Sequence, residues 1–208
     1  MYFFYFFPLG IDRPKQRPPL LSYVLMGVML VAFLWSRYLE HGTAMGPSDL
    51  IFFPGHGSPW TVLTAVFLHV GWFHLLGNML FLWIFGDNME DEMGHVGFLL
   101  FYLASGIAAG LCQVAADPNS LVPTVGASGA IAGGVGGYLL MFPRARIDIL
   151  IIIIVIFKIF PVPAWLMLGV WFAIQLFSGA TADVSQGGVA YWAHLDGFVA
   201  GVILILPA

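Results

Sequence analysis

Residues 123–142 form the segment that most restricts how this chain can fold. The segment is almost wholly apolar, and its glycines recur at every fourth position, as Gly129, Gly133 and Gly137. A second series of small residues with the same spacing consists of Gly126, Ala130 and Gly134. Residues four apart share one face of a helix, so this helix would carry a nearly bare face that another backbone can approach closely. Taken alone, the pattern predicts a helix that packs tightly in an apolar environment.

The composition identifies that environment as a lipid bilayer. Hydrophobic residues make up 60% of the chain and charged residues 9%. Soluble proteins, by contrast, carry roughly 25% charged residues. The net charge of -4 is small, and no basic stripe accompanies it, which argues against nucleic acid as a partner. We therefore expect a membrane protein that is surrounded by the lipid bilayer.

Six apolar segments predict transmembrane helices, for which a bilayer core requires about 20 residues. These segments are 20–39, 72–85, 96–116, 123–142, 164–177 and 189–206. The predicted fold class is therefore all-α, a polytopic bundle of six transmembrane helices. We expect one domain over residues 1–208, with 1–19 as a basic, extended lead-in and 20–207 as the membrane core.

Three connecting segments have a distinctive composition. Residues 60–70 are apolar and aromatic, and we expect them to lie in the membrane interface. Residues 147–160 contain a run of isoleucines that is too short to span and rich in β-branched side chains, which predicts an interfacial or re-entrant segment. A seventh span at this position is the alternative. Residues 117–127 contain two prolines and four polar side chains, and we expect a loop that dips below the membrane surface, where it must line protein or a wet cavity.

The positive charges predict how the bundle is oriented. Six spans place both termini on one side, and six of the seven Lys and Arg residues fall there, namely Arg13, Lys15, Arg17, Arg144, Arg146 and Lys158. Only Arg37 falls on the opposite side. Because cytoplasmic loops carry the excess of positive charge, the N-terminus is predicted to be cytoplasmic. We expect a multi-pass protein of the cell membrane, that is, the inner or plasma membrane.

Polar side chains inside apolar segments are costly, so each is a candidate functional residue. His69, His74 and Asn78 lie close together in the sequence, and the step of four places His74 and Asn78 on one helical face. Hydrogen bonding between helices is the structural alternative for these residues. We predict no metal site, because no carboxylate joins the histidines at ligand spacing, and we expect no cofactor.

His194 lies in the last predicted span beside a second series of small residues, Ala193, Gly197 and Gly201. Two bare faces would let the fourth and sixth spans pack closely, so that Ser128 on one can face His194 on the other. A hydroxyl next to a neutral imidazole is the arrangement of an activated serine nucleophile. The imidazole takes the hydroxyl proton and later passes it to the leaving amine.

Groups that could stabilise negative charge are also predicted near this serine. The start of a helix offers unpaired backbone N–H groups and the positive end of the helix dipole. His74 and Asn78 can add side-chain donors, and together these groups make a plausible oxyanion hole.

Three motifs in this chain resemble those of the rhomboid intramembrane serine proteases. They are His-x4-His-x3-Asn from His69, Gly-Ala-Ser-Gly from Gly126, and Ala-His-x-x-Gly from Ala193, in that order. The resemblance covers about residues 20–207 and is closest to a six-span, bacterial-type member. It implies a Ser128–His194 dyad that cleaves single-span or polytopic membrane proteins near the outer face. It also implies an oxyanion and substrate-binding site formed by His74, Asn78, Gly126 and the backbone N–H of Ser128.

Three departures from the family pattern affect the predicted site. Trp60 is followed by Thr61 where many members have arginine. Ala132 stands where an aromatic residue often holds the catalytic imidazole, so we expect Tyr191 or Tyr138 to hold His194 instead. Asp196 follows His194 by two positions, about 200° around a helix, and is therefore not predicted to orient the imidazole.

Two other functions are considered. A non-catalytic rhomboid-like protein would bind or escort membrane helices, but such proteins typically lack the serine or the histidine. A small transporter would need charged pairs or broken helices in matched halves, and the sequence has neither. The presence of both Ser128 and His194 favours the protease.

Overall fold

The computed structural model describes residues 4–11, 16–39, 48–56, 58–153, 156–181 and 191–206. Most of these residues are helical. The helices are α1 (Leu20–Leu34), α2 (Thr61–Thr64), α3 (Trp72–Phe81), α4 (Asp87–Ala116), α5 (Ser128–Met141), α6 (Ala164–Thr181) and α7 (Tyr191–Ile205). The strands are β1 (Phe4–Ile11), β2 (Arg146–Ile153) and β3 (Ile156–Pro163). The predicted lead-in residues Arg13 and Lys15, and residues 189–190 of the last predicted span, lie outside the described residues.

Three helical stretches within the described residues are long and apolar enough to cross a membrane. They are Leu20–Tyr38, Trp72–Ala116 and Ala164–Thr181. Helices α5 and α7 are apolar but contain only 14 and 15 residues. The predicted interfacial segment 60–70 folds as α2 followed by a 3-10 turn, Ala65–Phe67.

The stretch Trp72–Ala116 holds two of the predicted spans. They are separated at Gly94, whose φ of 72° and ψ of 164° interrupt the helix, and this positive φ favours glycine. The sequence analysis ends the earlier span at residue 85, and the helix extends beyond that residue. The helix continues through Asp87 and Glu90, because both carboxylates are buried and Glu90 is hydrogen-bonded within the protein.

The all-α prediction is wrong for the isoleucine-rich segment. β2 and β3 form an antiparallel hairpin, and β1 pairs antiparallel with β2 to complete a three-stranded sheet. A run of β-branched residues that is too short to span can bury its apolar side chains as a pleated strand instead. Ile147 and Ile149 are fully buried in the core. The prediction that this run does not form a spanning helix is confirmed.

Helices α5 and α7 pack backbone against backbone, as their small residues predict. A methyl group on Gly197 would overlap the carbonyl of Gly129, and one on Gly201 would overlap the carbonyl of Gly133. One face of α5 also meets α4, where a methyl on Gly133 would overlap Ser105. The prediction that the small-residue series bring these two helices together is confirmed.

A buried carboxylate fastens the start of α1 to the start of α4. Glu90 accepts hydrogen bonds from the backbone N–H groups of Leu21 at 2.7 Å and Ser22 at 2.8 Å, and from the Ser22 hydroxyl at 2.7 Å. These N–H groups are among the donors that the first turn of a helix leaves unpaired. The His95 imidazole contacts the same carboxylate at 2.5 Å. α1 has no N-cap side chain of its own, and Glu90 of α4 accepts the hydrogen bonds that such a residue would accept.

Candidate functional site

Ser128 is the first residue of α5, and a sharp backbone turn at Gly126 brings the chain into that helix. Gly126 has a φ of +120°, and a Cβ at this position would lie 2.5 Å from the imidazole Cε1 of His74. Only glycine suits both the backbone conformation and the neighbouring ring. The N–H of Gly126 donates to the carbonyl of Ala65 at 2.8 Å, so it is already used within the protein.

The segment that precedes α5 is held by an earlier loop. Residues 117–127 are non-helical. Gly55 N–H donates to the Ser120 carbonyl, and Thr124 N–H donates to the Phe52 carbonyl, both at 2.8 Å. Backbone groups at membrane depth need such internal partners. The bonding pattern is what such a loop requires.

The turn that carries Ser128 touches the turn that carries His194. A Cβ on Gly129 would lie 3.8 Å from the Ala193 carbonyl, and the Gly129 carbonyl is in turn in contact with Gly197. Gly129 follows Ser128 directly, while Ala193 and Gly197 lie one residue before and three residues after His194. The glycine contacts therefore place the backbone turns that carry the two predicted catalytic residues side by side where α5 meets α7.

The His194 imidazole is held by two side chains of α6. Its Nδ1 lies 2.6 Å from Oε1 of Gln175. The Trp171 ring is stacked on it, with centroids 6.1 Å apart and ring planes at 30°. Among the described residues, no hydrogen bond shorter than 3.5 Å joins Ser128 Oγ to His194. Hydrogen bonds between catalytic groups are often long before substrate binds.

The expectation that Tyr191 or Tyr138 would hold the imidazole is wrong. Tyr138 is fully buried elsewhere, with its ring packed against Phe85 at 5.1 Å and Phe142 at 4.7 Å. Tyr191 lies against Gly179 of α6. The Tyr138 ring therefore packs against other aromatic rings, and the partners of the imidazole come from α6.

Trp171 and Gln175 are the site residues that the sequence analysis missed. They are four residues apart and so share one face of α6. A glutamine in an apolar helix is costly and is a candidate functional residue for that reason. This signal was present in the sequence, but it did not indicate which of the other helices the side chain would meet.

His69 and His74 form a pair of adjacent imidazoles beside the start of α5. Their rings meet edge to face with centroids 5.1 Å apart. His69, which precedes α3, is fully buried, and its Nδ1 donates to the Phe67 carbonyl at 3.3 Å. Burial, with a smaller contribution from the nearby His74, lowers the pKa of His69 to about 4. His69 is therefore neutral at physiological pH.

His74 and Asn78 lie where the sequence analysis expected, on one face of α3. The Asn78 amide donates one hydrogen bond to the His74 carbonyl at 2.9 Å, which leaves its second N–H for another acceptor. The imidazoles of His74 and His194 are near enough for their charges to interact. Within the described parts of the chain, His69 Nε2 and His74 Nδ1 are buried without a hydrogen-bond partner.

Asp196 does not hold His194. Its carboxylate is close enough to interact electrostatically with the Cys112 thiol on α4, whereas the acceptor at His194 Nδ1 is Gln175. This arrangement fits the helical geometry, because residues two apart point in different directions from a helix.

Known proteins match this chain over most of its length. The family model described as Rhomboid domain matches residues 56–208. Rhomboid protein 1, mitochondrial, from Saccharomyces cerevisiae is 30% identical over 202 residues, which are 91% of this chain and 53% of that protein. Rhomboid-like protein 11, chloroplastic, from Arabidopsis thaliana is 27% identical over 211 residues, covering 93% of this chain and 66% of that protein. Rhomboid protease GluP from Bacillus subtilis is 42% identical over 83 residues, covering 40% of this chain and 16% of that protein. The chain thus spans about half to two thirds of the first two relatives.

Proposed function

This chain belongs to the rhomboid family of membrane proteins, which includes intramembrane proteases, and from that membership we propose that it is a serine endopeptidase. Its substrates are single-span or polytopic membrane proteins, cleaved near the outer face of the membrane. Ser128 is the nucleophile and His194 its general base. The observation that carries this proposal is the contact between α5 and α7, which brings the turns of Ser128 and His194 together.

The reaction proceeds by acyl transfer. His194 accepts the Ser128 hydroxyl proton at Nε2 as Oγ attacks the scissile carbonyl, and a tetrahedral intermediate forms. The imidazolium then gives the proton to the leaving amine, and an acyl-enzyme remains. A water molecule, deprotonated by the same imidazole, hydrolyses the ester and restores Ser128.

The negative charge of the tetrahedral intermediate is stabilised at the start of α5. The first N–H groups of this helix have no partner within the helix, and the helix dipole is positive here. His74 and the second N–H of Asn78 supply side-chain donors. Gly126 contributes space for the His74 ring rather than its own N–H, which is bonded to Ala65.

The site faces the side of the membrane opposite the N-terminus in this proposal. The pairing of β1 with β2 places the N-terminal strand beside the strand that begins at Arg146, which puts the N-terminus at the same end of the bundle as the end of α5. With six spans, the positive-inside rule makes this end cytoplasmic. Ser128 lies at the other end of α5, about 20 Å away at 1.5 Å per residue.

Labelling of the protein in detergent with a fluorophosphonate probe tests the dyad. Wild type is expected to react, Ser128→Ala not at all, and His194→Ala to lose most of the signal. Ser36→Ala is the matched control, because the Ser36 hydroxyl is bonded to carbonyls of α1 and should label like wild type. Equal labelling of wild type, Ser128→Ala and His194→Ala would contradict the dyad and leave a non-catalytic, helix-binding protein as the alternative.

A further inference from the structure

Helix α6 carries one buried amide on an otherwise apolar surface. Gln175 is 9% exposed, whereas its neighbours Ile174 and Leu176 are 55% and 48% exposed. An amide inside a membrane helix must find a hydrogen-bond partner, since lipid offers none. Gln175 finds it across the helix contact, at Nδ1 of His194.

This hydrogen bond fixes the protonation pattern of the imidazole. A carbonyl oxygen can only accept, so Oε1 of Gln175 requires the proton of the neutral ring to be on Nδ1 of His194. The lone pair is then on Nε2, the nitrogen that a general base must present to a serine hydroxyl. The Trp171 ring is stacked on the imidazole and restricts rotation of the His194 ring.

We propose that Gln175 is the positioning residue of His194, so that the functional unit is Ser128–His194–Gln175; this inference rests on the proposed protease function. An amide supplies the same acceptor as the aspartate of a soluble serine protease without a buried negative charge. An unpaired carboxylate between membrane helices would be expensive. The Asp196 carboxylate does not take this role, because the acceptor on Nδ1 of His194 is Oε1 of Gln175.

The other groups around His194 do not replace this acceptor. On α3 the nearby titratable group is His74, and on α5 the turn that follows Ser128 lies against the turn of His194. Helix α6 has no Asp, Glu, Lys, Arg or His between Ala164 and Thr181. Asp196 is on α7 itself, two residues from His194, and its carboxylate points in a different direction from the helix. Gln175 is thus the acceptor that the described structure provides for Nδ1.

The tautomer of His194 gives a direct test that does not depend on activity. In ¹⁵N spectra of the histidine-labelled protein in detergent at neutral pH, the two ring nitrogens differ according to which one carries the proton. The His194 signals are assigned by their loss in His194→Asn. We expect Nδ1–H in wild type and a mixture of tautomers in Gln175→Met, which has similar volume but no acceptor. A proton on Nε2 of wild-type His194 would overturn the proposal.

Kinetic measurements distinguish a role of Gln175 in positioning His194 from a role in packing the helices. A positioned general base contributes about 100- to 10,000-fold, and we expect Gln175→Met to lose about 10- to 100-fold in kcat with little change in KM. Phe172→Leu is the packing control, because Phe172 joins the same helices through Phe198, with ring centroids 4.6 Å apart. It should keep kcat near the wild-type value. Equal losses in the two variants would reduce Gln175 to a packing residue and contradict the proposal.

The conservative variant Gln175→Glu supplies a second readout. A carboxylate at Nδ1 restores the acceptor, so kcat should recover relative to Gln175→Met. The carboxylate also stabilises the imidazolium, so the acid limb of the kcat/KM profile should move to higher pH by about one unit or more. If the acid limb of Gln175→Glu lies at the same pH as in wild type, residue 175 does not contact the His194 imidazole and the proposal is contradicted.

Failure of this inference can be told apart from failure of the protease proposal. If wild type neither reacts with the fluorophosphonate nor cleaves substrate, the protease proposal fails, and the tautomer measurement still decides whether Gln175 positions His194. If wild type is active and Gln175→Met is equally active while folded, the dyad stands and the role of Gln175 is refuted.

Discussion

Glu90 and His74 lie at opposite ends of one long helical stretch and differ in how their polar atoms are hydrogen-bonded. At the start of α1, Glu90 is 1% exposed, and hydrogen bonds to Leu21, Ser22 and His95 use both of its oxygens. About 24 Å away along the α3–α4 helix, at 1.5 Å per residue, His74 has a buried ring nitrogen without a partner among the described residues. A buried polar group normally has its partners. Glu90 is therefore a structural link between α1 and α4, whereas the proposed function leaves the free ring nitrogen of His74 for a substrate group.

Replacing Glu90 should have the largest effect on stability. Glu90→Ala leaves the first N–H groups of α1 without their buried acceptor, and hydrogen bonds to a charged group contribute about 1.5–3 kcal/mol each. We expect the free energy of unfolding in detergent to fall by about 3 kcal/mol or more. His95→Ala removes one contact of the same carboxylate and should cost less. If Glu90→Ala has the same free energy of unfolding as wild type, the hydrogen bonds of Glu90 do not stabilise the contact between α1 and α4.

The second prediction concerns pH and His69. Because the pKa of His69 is about 4 when folded and ordinarily about 6.5 when unfolded, the unfolded chain binds more protons between these values. The contribution of His69 to stability is therefore present above pH 6.5 and is lost as the pH falls towards 4, by at most roughly 3 kcal/mol. Thermal unfolding at pH 4 to 8 should show a weaker acid dependence for His69→Asn. The same dependence in both proteins would contradict the burial of a neutral imidazole.

The third prediction tests the contact that brings the site together. Gly201→Ala places a methyl group against the Gly133 carbonyl, and overpacking of this kind costs about 1–3 kcal/mol. Separation of α5 from α7 should also lower fluorophosphonate labelling. Gly169→Ala on α6 is the matched control, since nothing lies within 4 Å of the added methyl. It should be neutral or slightly stabilising, and a similar loss in both variants would contradict the specific contact.

Replacing His74 should have the smallest effect on stability and a large effect on catalysis. His74→Leu loses no hydrogen bond of Nδ1, so we expect a change in unfolding free energy of about 1 kcal/mol or less. Loss of an oxyanion donor typically lowers kcat by about 100- to 1,000-fold, and we expect a fall of this order in substrate cleavage. If His74→Leu is strongly destabilised but cleaves substrate at the wild-type rate, His74 stabilises the fold and is not an oxyanion donor.

The parts of the fold that the sequence predicted depend on local spacing. The glycine series of α5 and α7 lie within single helices, so their meeting could be anticipated from each series alone. The sheet could not, because Phe4–Ile11 pairs with a strand about 140 residues later, and no pattern within either segment names its partner. Gln175 was missed for a related reason. Its contact with His194 depends on how α6 is rotated against α7, which the apolar composition of α6 leaves open.

The most direct test of the Ser128–His194 dyad is cleavage of a single-span substrate in liposomes, with the products mapped by mass spectrometry. Wild type should cut the substrate helix near the face of the membrane opposite the N-terminus, and Ser128→Ala and His194→Ala should leave the substrate intact. Cleavage by Ser128→Ala at the wild-type rate would show that the chemistry does not depend on this hydroxyl, and the proposed mechanism would be wrong.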